Sequence, residues 1–166
     1  MSEKKYILNQ ASANQKLHRM ALEIAENLSG SDADLVLIGV RNSGTVIAEK
    51  IALLLAPYIS NKITNITVSL NKDFPKEVVL SKNFNFTDLN VLLIDDVANS
   101  GKTLLYGLKP LMEYYPRTIQ TLVLVERMHK LYPVKPTYVG LSVATTLEDH
   151  IQVEVSNGEI TGAYIQ

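Results

Sequence analysis

Three runs of apolar residues dominate the hydrophobic pattern of the chain, and polar residues flank each of them. The runs are LVLIGV at 35–40, NVLLIDD at 90–96 and TIQTLVLVE at 118–126. Strands that are buried on both faces of a parallel sheet give continuous apolar runs, whereas half-exposed strands alternate. The pattern therefore predicts three central strands of a parallel sheet.

Apolar residues at helical spacing occupy the segments between these runs. They predict one helix over 14–28 that ends at Gly30, a second from the turn at 41–44 to about Tyr58, and a third after 97–103. Their predicted core faces are Leu17, Met20, Ala21, Ile24 and Leu28; Ile47, Ile51, Leu54, Leu55 and Tyr58; and Leu104, Leu105, Leu108, Leu111, Met112 and Tyr115. Repeated strand–helix units indicate a doubly wound α/β domain with a mainly parallel sheet, which binds ligands at the carboxyl ends of its strands.

The rest of the chain is more polar. Residues 63–70 partly alternate, which predicts a strand with one wetter face, and the tail has short strand candidates at 137–143, 151–155 and 159–165. Between them, the Asn- and Lys-rich segment 71–89 contains a short VVL strand candidate. A long irregular segment inside a compact domain is usually functional or mobile.

Composition narrows the function classes. The 166 residues suit a single domain, and the net charge of −1 excludes a globally basic nucleic-acid coat. Without cysteine the chain has no disulfide or thiolate metal site, and its three histidines (His18, His129, His150) lack metal-site spacing. The chain has neither a secretory signal nor a long apolar span, so we expect a cytoplasmic protein without a membrane partner.

The strongest chemical signal is the segment 94–103, IDDVANSGKT. A buried strand ends abruptly there at Asp95 and Asp96, and adjacent buried carboxylates need cations or hydroxyl donors. The following residues open a helix, where backbone N–H groups suit a phosphate and Ser100 and Thr103 add hydroxyl donors. An acid pair for a sugar diol beside a phosphate loop fits a ribose 5-phosphate.

Two other interpretations of the segment are weaker. A plain strand-to-helix turn with Asp as a helix cap does not account for the paired acids. A P-loop requires Gly at position 96, which is Asp96, and the pair Gly39 and Gly44 is followed by Thr45 rather than Lys.

The segment closely resembles the signature of the type I phosphoribosyltransferases, which use phosphoribosyl pyrophosphate with Mg²⁺. The resemblance implies their fold, with a hood built from about 1–12 and 127–166. Asp95 and Asp96 would bind the ribose hydroxyls near Mg²⁺, which is held mainly by substrate and water. The 5′-phosphate would be bound by the loop Ala98, Asn99, Ser100, Gly101, Lys102 and Thr103.

The same resemblance implies functions for two further segments. Val40, Arg41 and Asn42 match the pyrophosphate loop of the family, which often contains a non-proline cis peptide, expected here at Val40–Arg41. Residues 71–89 match the mobile lid, in which Asn71-Lys72-Asp73 replaces the aromatic-Arg-Asp run of the family and Lys72 is implied to be catalytic. Lid closure would exclude water while an oxocarbenium-like sugar forms.

Most of the chain resembles one subgroup, the pyrimidine-operon attenuators with uracil phosphoribosyltransferase activity. The purine enzymes have Lys at the position of Glu126 and Asp at the position of Asn99, which argues against a purine acceptor. The resemblance implies that uracil is held by backbone groups near Arg127 and Met128 and packed by Tyr138 and Val139. Because backbone recognition leaves no residue signature, another base stays open.

The subgroup also binds a messenger RNA leader and forms homodimers or higher homo-oligomers. Arg19, His129 and Lys130 match its RNA-binding surface, while His18 and Leu22 replace the Thr and His of the family. Two functions therefore remain: a phosphoribosyltransferase acting on phosphoribosyl pyrophosphate and a nucleobase or nucleoside monophosphate, or a nucleotide-sensing RNA-binding attenuator with weak or no catalysis.

Overall fold

Two sheets and three α-helices make up the computed structural model, which describes residues 3–146 and 148–166; positions 1, 2 and 147 of the predicted hood lie outside them. The elements in chain order are β1 (Lys5–Asn9), α1 (Gln10–Asn27), β2 (Leu35–Val40), α2 (Ser43–Leu55), β3 (Ile63–Leu70), β4 (Val78–Leu80), β5 (Asn90–Ala98), α3 (Lys102–Gly107), a 3₁₀ turn (Lys109–Glu113), β6 (Thr118–Arg127), β7 (Tyr138–Val143), β8 (Ile151–Ser156) and β9 (Glu159–Ile165).

The larger sheet has the strand order β4-β3-β2-β5-β6-β7, and every neighbouring pair is parallel except β3 with β4. The continuous apolar runs form its central strands β2, β5 and β6, as predicted. The reversal of strand order between β2 and β5 is the position at which doubly wound sheets bind ligands. This arrangement confirms the predicted α/β fold with a mainly parallel sheet.

The smaller sheet joins distant parts of the chain. Its order is β1-β9-β8, with both pairs antiparallel, and Lys5 lies opposite Ile165. Strand β8 also contacts β5 of the larger sheet. The smaller sheet therefore lies next to the strand that carries the two acids.

The first two helices differ from their predicted bounds. Helix α1 begins at Gln10 because Asn9 and Ser12 form a capping box, in which the Asn9 side chain accepts from the Ser12 N–H at 2.8 Å and the Ser12 hydroxyl accepts from the Asn9 N–H at 2.9 Å. Gly30, where we expected α1 to end, has a φ of 84° just beyond it. Helix α2 ends at Leu55, so Tyr58 is exposed rather than part of a core face.

The predicted third helix is shorter than expected. After Gly107 the chain continues as a 3₁₀ turn that contains Pro110, which has no N–H to continue α-helical hydrogen bonding. The change of pitch moves Met112 and Tyr115 out of the predicted core face, and they are 65% and 84% exposed. Leu104 and Leu111 are buried as predicted.

Two apolar clusters cover the two faces of the larger sheet. One packs side chains of α1 and α2 against the sheet, and the other packs side chains of α3 and the 3₁₀ turn, with Phe86, against the opposite face. None of the described helices has the length and apolar character needed to cross a membrane. The apolar side chains therefore pack both faces of the larger sheet, and the polar residues at its strand ends are candidates for a functional site.

Candidate active site

The ends of β2 and β5 meet because these strands pair in parallel, with Gly39 opposite Ile94. The turn after β2 consequently lies beside the acids after Ile94. A β-carbon on Gly44 would be 2.6 Å from the Ile94 carbonyl oxygen and 3.1 Å from the Asp95 Cα. Only glycine therefore lets the start of α2 approach the acid pair this closely.

Asp95 and Asp96 end the apolar part of β5 in different environments. Asp95 is 1% exposed; its Oδ1 accepts from the Asp96 N–H at 2.8 Å, and its Oδ2 is buried without a hydrogen-bond partner among the described residues. Asp96 is half-buried and its Oδ1 accepts from the Val97 N–H at 2.8 Å. Burial, together with the neighbouring Asp96, raises the pKa of Asp95 well above its ordinary value, and Lys72 opposes this shift.

Lys72 provides the positive charge at the acid pair. Its Nζ lies 3.5 Å from Asp95 Oδ1 and 3.7 Å from Asp96 Oδ1, although these residues are far apart in sequence. Burial opposes the ammonium, but the two carboxylates outweigh it and raise the pKa of Lys72. The structure thus brings together the three residues that we predicted to be catalytic.

The predicted phosphate loop, 98–103, lines a cavity of about 420 Å³ together with Lys72 and Asp96. Gly101 has a φ of 86°, in the left-handed region that favours glycine. The Ser100 carbonyl accepts from two N–H groups of the 131–132 backbone, both at 3.0 Å. The 131–132 backbone thereby holds the loop, and residues 98–103 of the loop line the cavity.

Lys102 connects this loop to the segment after β3. Its Nζ donates to the Asp73 carbonyl at 2.6 Å and lies 6.0 Å from the centre of the Phe74 ring. Residues 72 and 73 line the cavity as well. The start of the predicted lid therefore forms part of the cavity wall.

The predicted pyrophosphate loop lies at the end of β2. Val40 is buried, whereas Arg41 and Asn42 are exposed, and the Arg41 N–H donates to the Val68 carbonyl at 3.0 Å. The non-proline cis peptide joins Arg41 to Asn42. This corrects the expected position at Val40–Arg41 by one residue, and no residue pattern in the turn distinguishes the two bonds.

The predicted base-binding residues do not come together. Tyr138 is buried; its hydroxyl donates to Gln120 at 3.0 Å and accepts from Asn27 at 2.6 Å. Since Gln120 lies near the amino end of β6, Tyr138 points away from the carboxyl ends of the strands. Val139 packs in the apolar cluster beside α3. Neither side chain lines the cavity of the phosphate loop in this conformation, so their packing against a base stays a prediction.

Arg127 and Met128 are nearer the carboxyl end of β6. The Arg127 guanidinium donates to the Asp149 carbonyl, and its Nε is buried without a partner among the described residues. Met128 is exposed, and its backbone N–H donates to the Val143 carbonyl at 3.0 Å. That N–H is consequently not free to recognise a base in this conformation.

Strand β8 forms part of the site, although no motif in it indicates this role. Ile151, Gln152 and Val153 line the same cavity as the phosphate loop, and Gln152 Oε1 accepts from the Tyr164 hydroxyl at 2.8 Å. A short alternating strand has no chemical signature, and its contact with β5 is set by tertiary packing alone.

Comparison with known proteins identifies the family. A family model described as the phosphoribosyl transferase domain matches residues 5–157. The chain belongs to this family. It is therefore a phosphoribosyltransferase, and the resemblance inferred from residues 94–103 is confirmed.

Relatives of this phosphoribosyltransferase share its whole length. A protein of Leuconostoc citreum named bifunctional protein PyrR is 34% identical over 167 residues, which is 95% of this chain and 94% of the relative. The bifunctional protein PyrR of Bacillus subtilis is 28% identical over 179 residues, covering 99% and 98% of the two chains.

Two solved structures with the same fold are those of purine enzymes. The hypoxanthine phosphoribosyltransferase of Trypanosoma cruzi has a TM-score of 0.80 at 16% identity, over 97% of this chain and 95% of that chain. A hypoxanthine-guanine phosphoribosyltransferase of Bacillus anthracis has a TM-score of 0.69 at 23% identity, over 86% and 84%. Identities this low establish the shared fold and leave the base open.

The acid pair of this phosphoribosyltransferase fits a magnesium ion that is shared with substrate. Carboxylate oxygens are the ligands Mg²⁺ prefers, and Asp95 Oδ2 is buried without a partner among the described residues. No cluster of three or more His, Cys, Asp or Glu side chains occurs within 3–146 and 148–166. Water and substrate oxygens would therefore supply most of the coordination.

Two of the three predicted RNA-binding side chains are engaged within the protein. Arg19 bonds Glu23 and donates to the carbonyls of Val139 and Gly140, each at 2.9 Å. Lys130 donates to Glu126 Oε2 at 2.6 Å, and its side chain is 13% exposed. His129 is exposed. The three residues therefore do not present a free basic surface.

Proposed function

We propose that this phosphoribosyltransferase transfers the phosphoribosyl group from Mg²⁺-bound phosphoribosyl pyrophosphate to a ring nitrogen of uracil, releasing pyrophosphate and forming UMP. One observation carries the proposal: Asp96 of the acid pair lines a single cavity together with a loop rich in backbone and hydroxyl donors. That pairing matches the two ends of a ribose 5-phosphate, a diol and a dianion.

Each part of the donor has a partner in this arrangement. Asp95 and Asp96 accept hydrogen bonds from the ribose hydroxyls, and the 98–103 loop donates to the 5′-phosphate. The turn at 40–42 contributes the Arg41 guanidinium to the pyrophosphate, a role that suits its fixed charge. When bound, Mg²⁺ neutralises pyrophosphate charge. These contacts hold the donor so that catalysis rests on positioning and electrostatics.

The chemical step breaks the bond between the sugar C1 and the pyrophosphate oxygen, and its electron pair leaves with pyrophosphate. The lone pair of the base nitrogen forms the new bond to C1, and the nitrogen releases its proton to water. Once the donor is bound, closure of the 71–89 segment, which carries Lys72, would exclude water from the positively charged sugar. Exclusion of water prevents hydrolysis of the donor.

The environment of Glu126 supports a pyrimidine acceptor. Glu126 Oε1 accepts from Ser142 at 2.7 Å and Glu126 Oε2 from Lys130 at 2.6 Å, so the carboxylate is already held by two donors of the protein. A donor to the exocyclic oxygen of a purine is lacking at this position, and Asn99 is no general base. The relatives named bifunctional protein PyrR support the same choice.

The second candidate is a nucleotide-sensing attenuator that binds a messenger RNA leader. The bifunctional name of the relatives favours a second activity, whereas the internal contacts of Arg19 and Lys130 oppose it. An electrophoretic shift with the leader RNA at stated salt tests it, because phosphate contacts weaken as salt rises. We also propose that the protein is cytoplasmic and forms a homodimer or higher homo-oligomer; sedimentation can test the oligomeric state.

Pyrophosphate release tests the enzymatic proposal directly. The protein is incubated with phosphoribosyl pyrophosphate and Mg²⁺, with uracil, hypoxanthine, guanine, adenine or orotate in parallel. We expect turnover with uracil only, and its loss in the Asp95→Asn/Asp96→Asn variant. Turnover with a purine would change the acceptor, and donor binding without turnover for any base would favour the attenuator.

A further inference from the structure

The acid pair already has a cation in the substrate-free protein. The Lys72 ammonium lies within 3.7 Å of both carboxylates, and all ion pairs of Asp95 and Asp96 in the described part of the chain are made with Lys72. Two adjacent, largely buried carboxylates without a cation would be strongly destabilising. Lys72 therefore occupies the electrostatic position that a divalent cation takes when the donor is bound.

This ion pair is looser than the other buried pair of the protein. The Lys72 side chain is 49% exposed and its two N–O distances are 3.5 and 3.7 Å, whereas Lys130 lies 2.6 Å from Glu126 and both partners are nearly buried. A long, half-exposed contact is easily exchanged for another cation. The geometry suits a cation that stays only until substrate arrives.

The contact made by Lys102 links this exchange to the donor. Lys102 belongs to the predicted phosphate loop, but its Nζ is bonded to the Asp73 carbonyl, next to Lys72. A phosphate dianion in the loop attracts the Lys102 ammonium more strongly than a neutral carbonyl does. Binding of the 5′-phosphate would thus release the 72–74 segment and withdraw Lys72 from the acids.

We propose that Lys72 is the resident cation of the acid pair, and that it makes the pair reject free Mg²⁺ and accept only the Mg²⁺ complex of the phosphorylated donor. The inference rests on the proposed function. Free Mg²⁺ brings no phosphate that could draw Lys102 away from the Asp73 carbonyl. It must therefore compete with the Lys72 ammonium for two carboxylates whose charge is already half neutralised. Its reluctance to lose water makes that competition unfavourable.

Titration with MgCl2 alone, by calorimetry and by thermal melting, tests the proposal without any turnover. The wild-type protein should give no binding heat and no shift in melting temperature. Lys72→Met should melt lower, bind Mg²⁺ at least about tenfold more tightly than wild type, and recover its melting temperature when Mg²⁺ is added. Lys72→Arg should behave as wild type.

The matched control is Lys76→Met, which removes a lysine from the same segment. It should leave Mg²⁺ binding unchanged. Equal Mg²⁺ affinity in wild type and Lys72→Met would overturn the proposal, as would tight binding of Mg²⁺ by wild type even if the variant does not fold. Because the titration uses Mg²⁺ alone, its result does not depend on turnover. The role of Lys72 can be confirmed even if no base is turned over, and it can be refuted even if uracil is turned over.

Discussion

Replacing Lys130 by methionine would break the buried ion pair beside the candidate site. Lys130 Nζ lies 2.6 Å from Glu126 Oε2, and the side chains are 13% and 11% exposed. At an effective dielectric of about 20 their Coulomb attraction is about 6 kcal/mol before desolvation. Leaving one charge of a buried pair without its partner costs about 3–5 kcal/mol.

We expect the lower end of that range for Lys130→Met, about 3 kcal/mol, because Ser142 continues to donate to Glu126 Oε1 at 2.7 Å. For a domain of this size that loss corresponds to a fall of roughly 6–12 °C in melting temperature. Urea unfolding at pH 7 measures the free energy. Lys135→Met is the matched control, since the exposed Lys135 lines the same surface pocket as Glu126 and Lys130. Its loss should cost less than about 1 kcal/mol.

The pH dependence identifies the cause of the loss. Burial raises the pKa of Glu126, but hydrogen bonds from Lys130 and Ser142 outweigh it and hold the pKa below its ordinary value. In wild type this adds stability above the unfolded pKa of about 4.3, and the stability is lost as pH falls through the folded pKa. In the Lys130→Met variant the effect of burial on Glu126 is no longer opposed by Lys130. Protonation of Glu126 then removes the unpaired charge and its cost in free energy. The difference between the two proteins should shrink from pH 7 to about pH 4.

Two results would refute this reasoning. One is a Lys130→Met protein as stable as wild type at pH 7, and the other is a stability difference that does not change with pH. The double variant Glu126→Gln/Lys130→Met should regain more than half of the lost free energy, because the unpaired charge is gone. A double variant no better than the single one would assign the loss to packing.

Two further substitutions test the geometry of the site. Tyr138→Phe should lower stability by about 1–2 kcal/mol through its lost hydrogen bonds, with unchanged KM for base and donor; a raised KM for the base alone would contradict the placement of Tyr138 outside the site. Gly44→Ala should cost about 1–3 kcal/mol in urea unfolding and weaken donor binding, because its β-carbon would be 2.6 Å from the Ile94 carbonyl oxygen. A Gly44→Ala protein with wild-type stability would show that α2 can move away from β5.

The parts of the site that could be predicted from sequence are those that depend on local pattern. The run at 90–94 is buried on both faces, so its abrupt end at Asp95 places the acids at a strand terminus in any parallel sheet. The phosphate loop follows directly in the chain. Lys72 could be assigned only through its position in a resemblance, since its contact with Asp95 depends on the path of the 71–77 segment.

The structure differs from the prediction where a side-chain direction depends on strand register, or where one residue ends a helix. The Tyr138 side chain turns toward Asn27 and Gln120, a direction that the sequence does not reveal. Leu–Leu spacing continued past Gly107, but Pro110 imposed a 3₁₀ turn that the spacing alone does not reveal. Capping at Asn9 extended α1 beyond its apolar face.

The pairing of β1 with β9 has a consequence for the order of assembly. Lys5 lies opposite Ile165, so β1 leaves the ribosome long before its partner strand exists. Contacts between such distant positions form late and slowly, because a long loop must first close. Strand β8, which lines the cavity, is held in the same small sheet. A nascent chain can therefore complete its parallel sheet and acid pair while one wall of the substrate cavity is still missing, so that binding competence arises only after synthesis has passed β9.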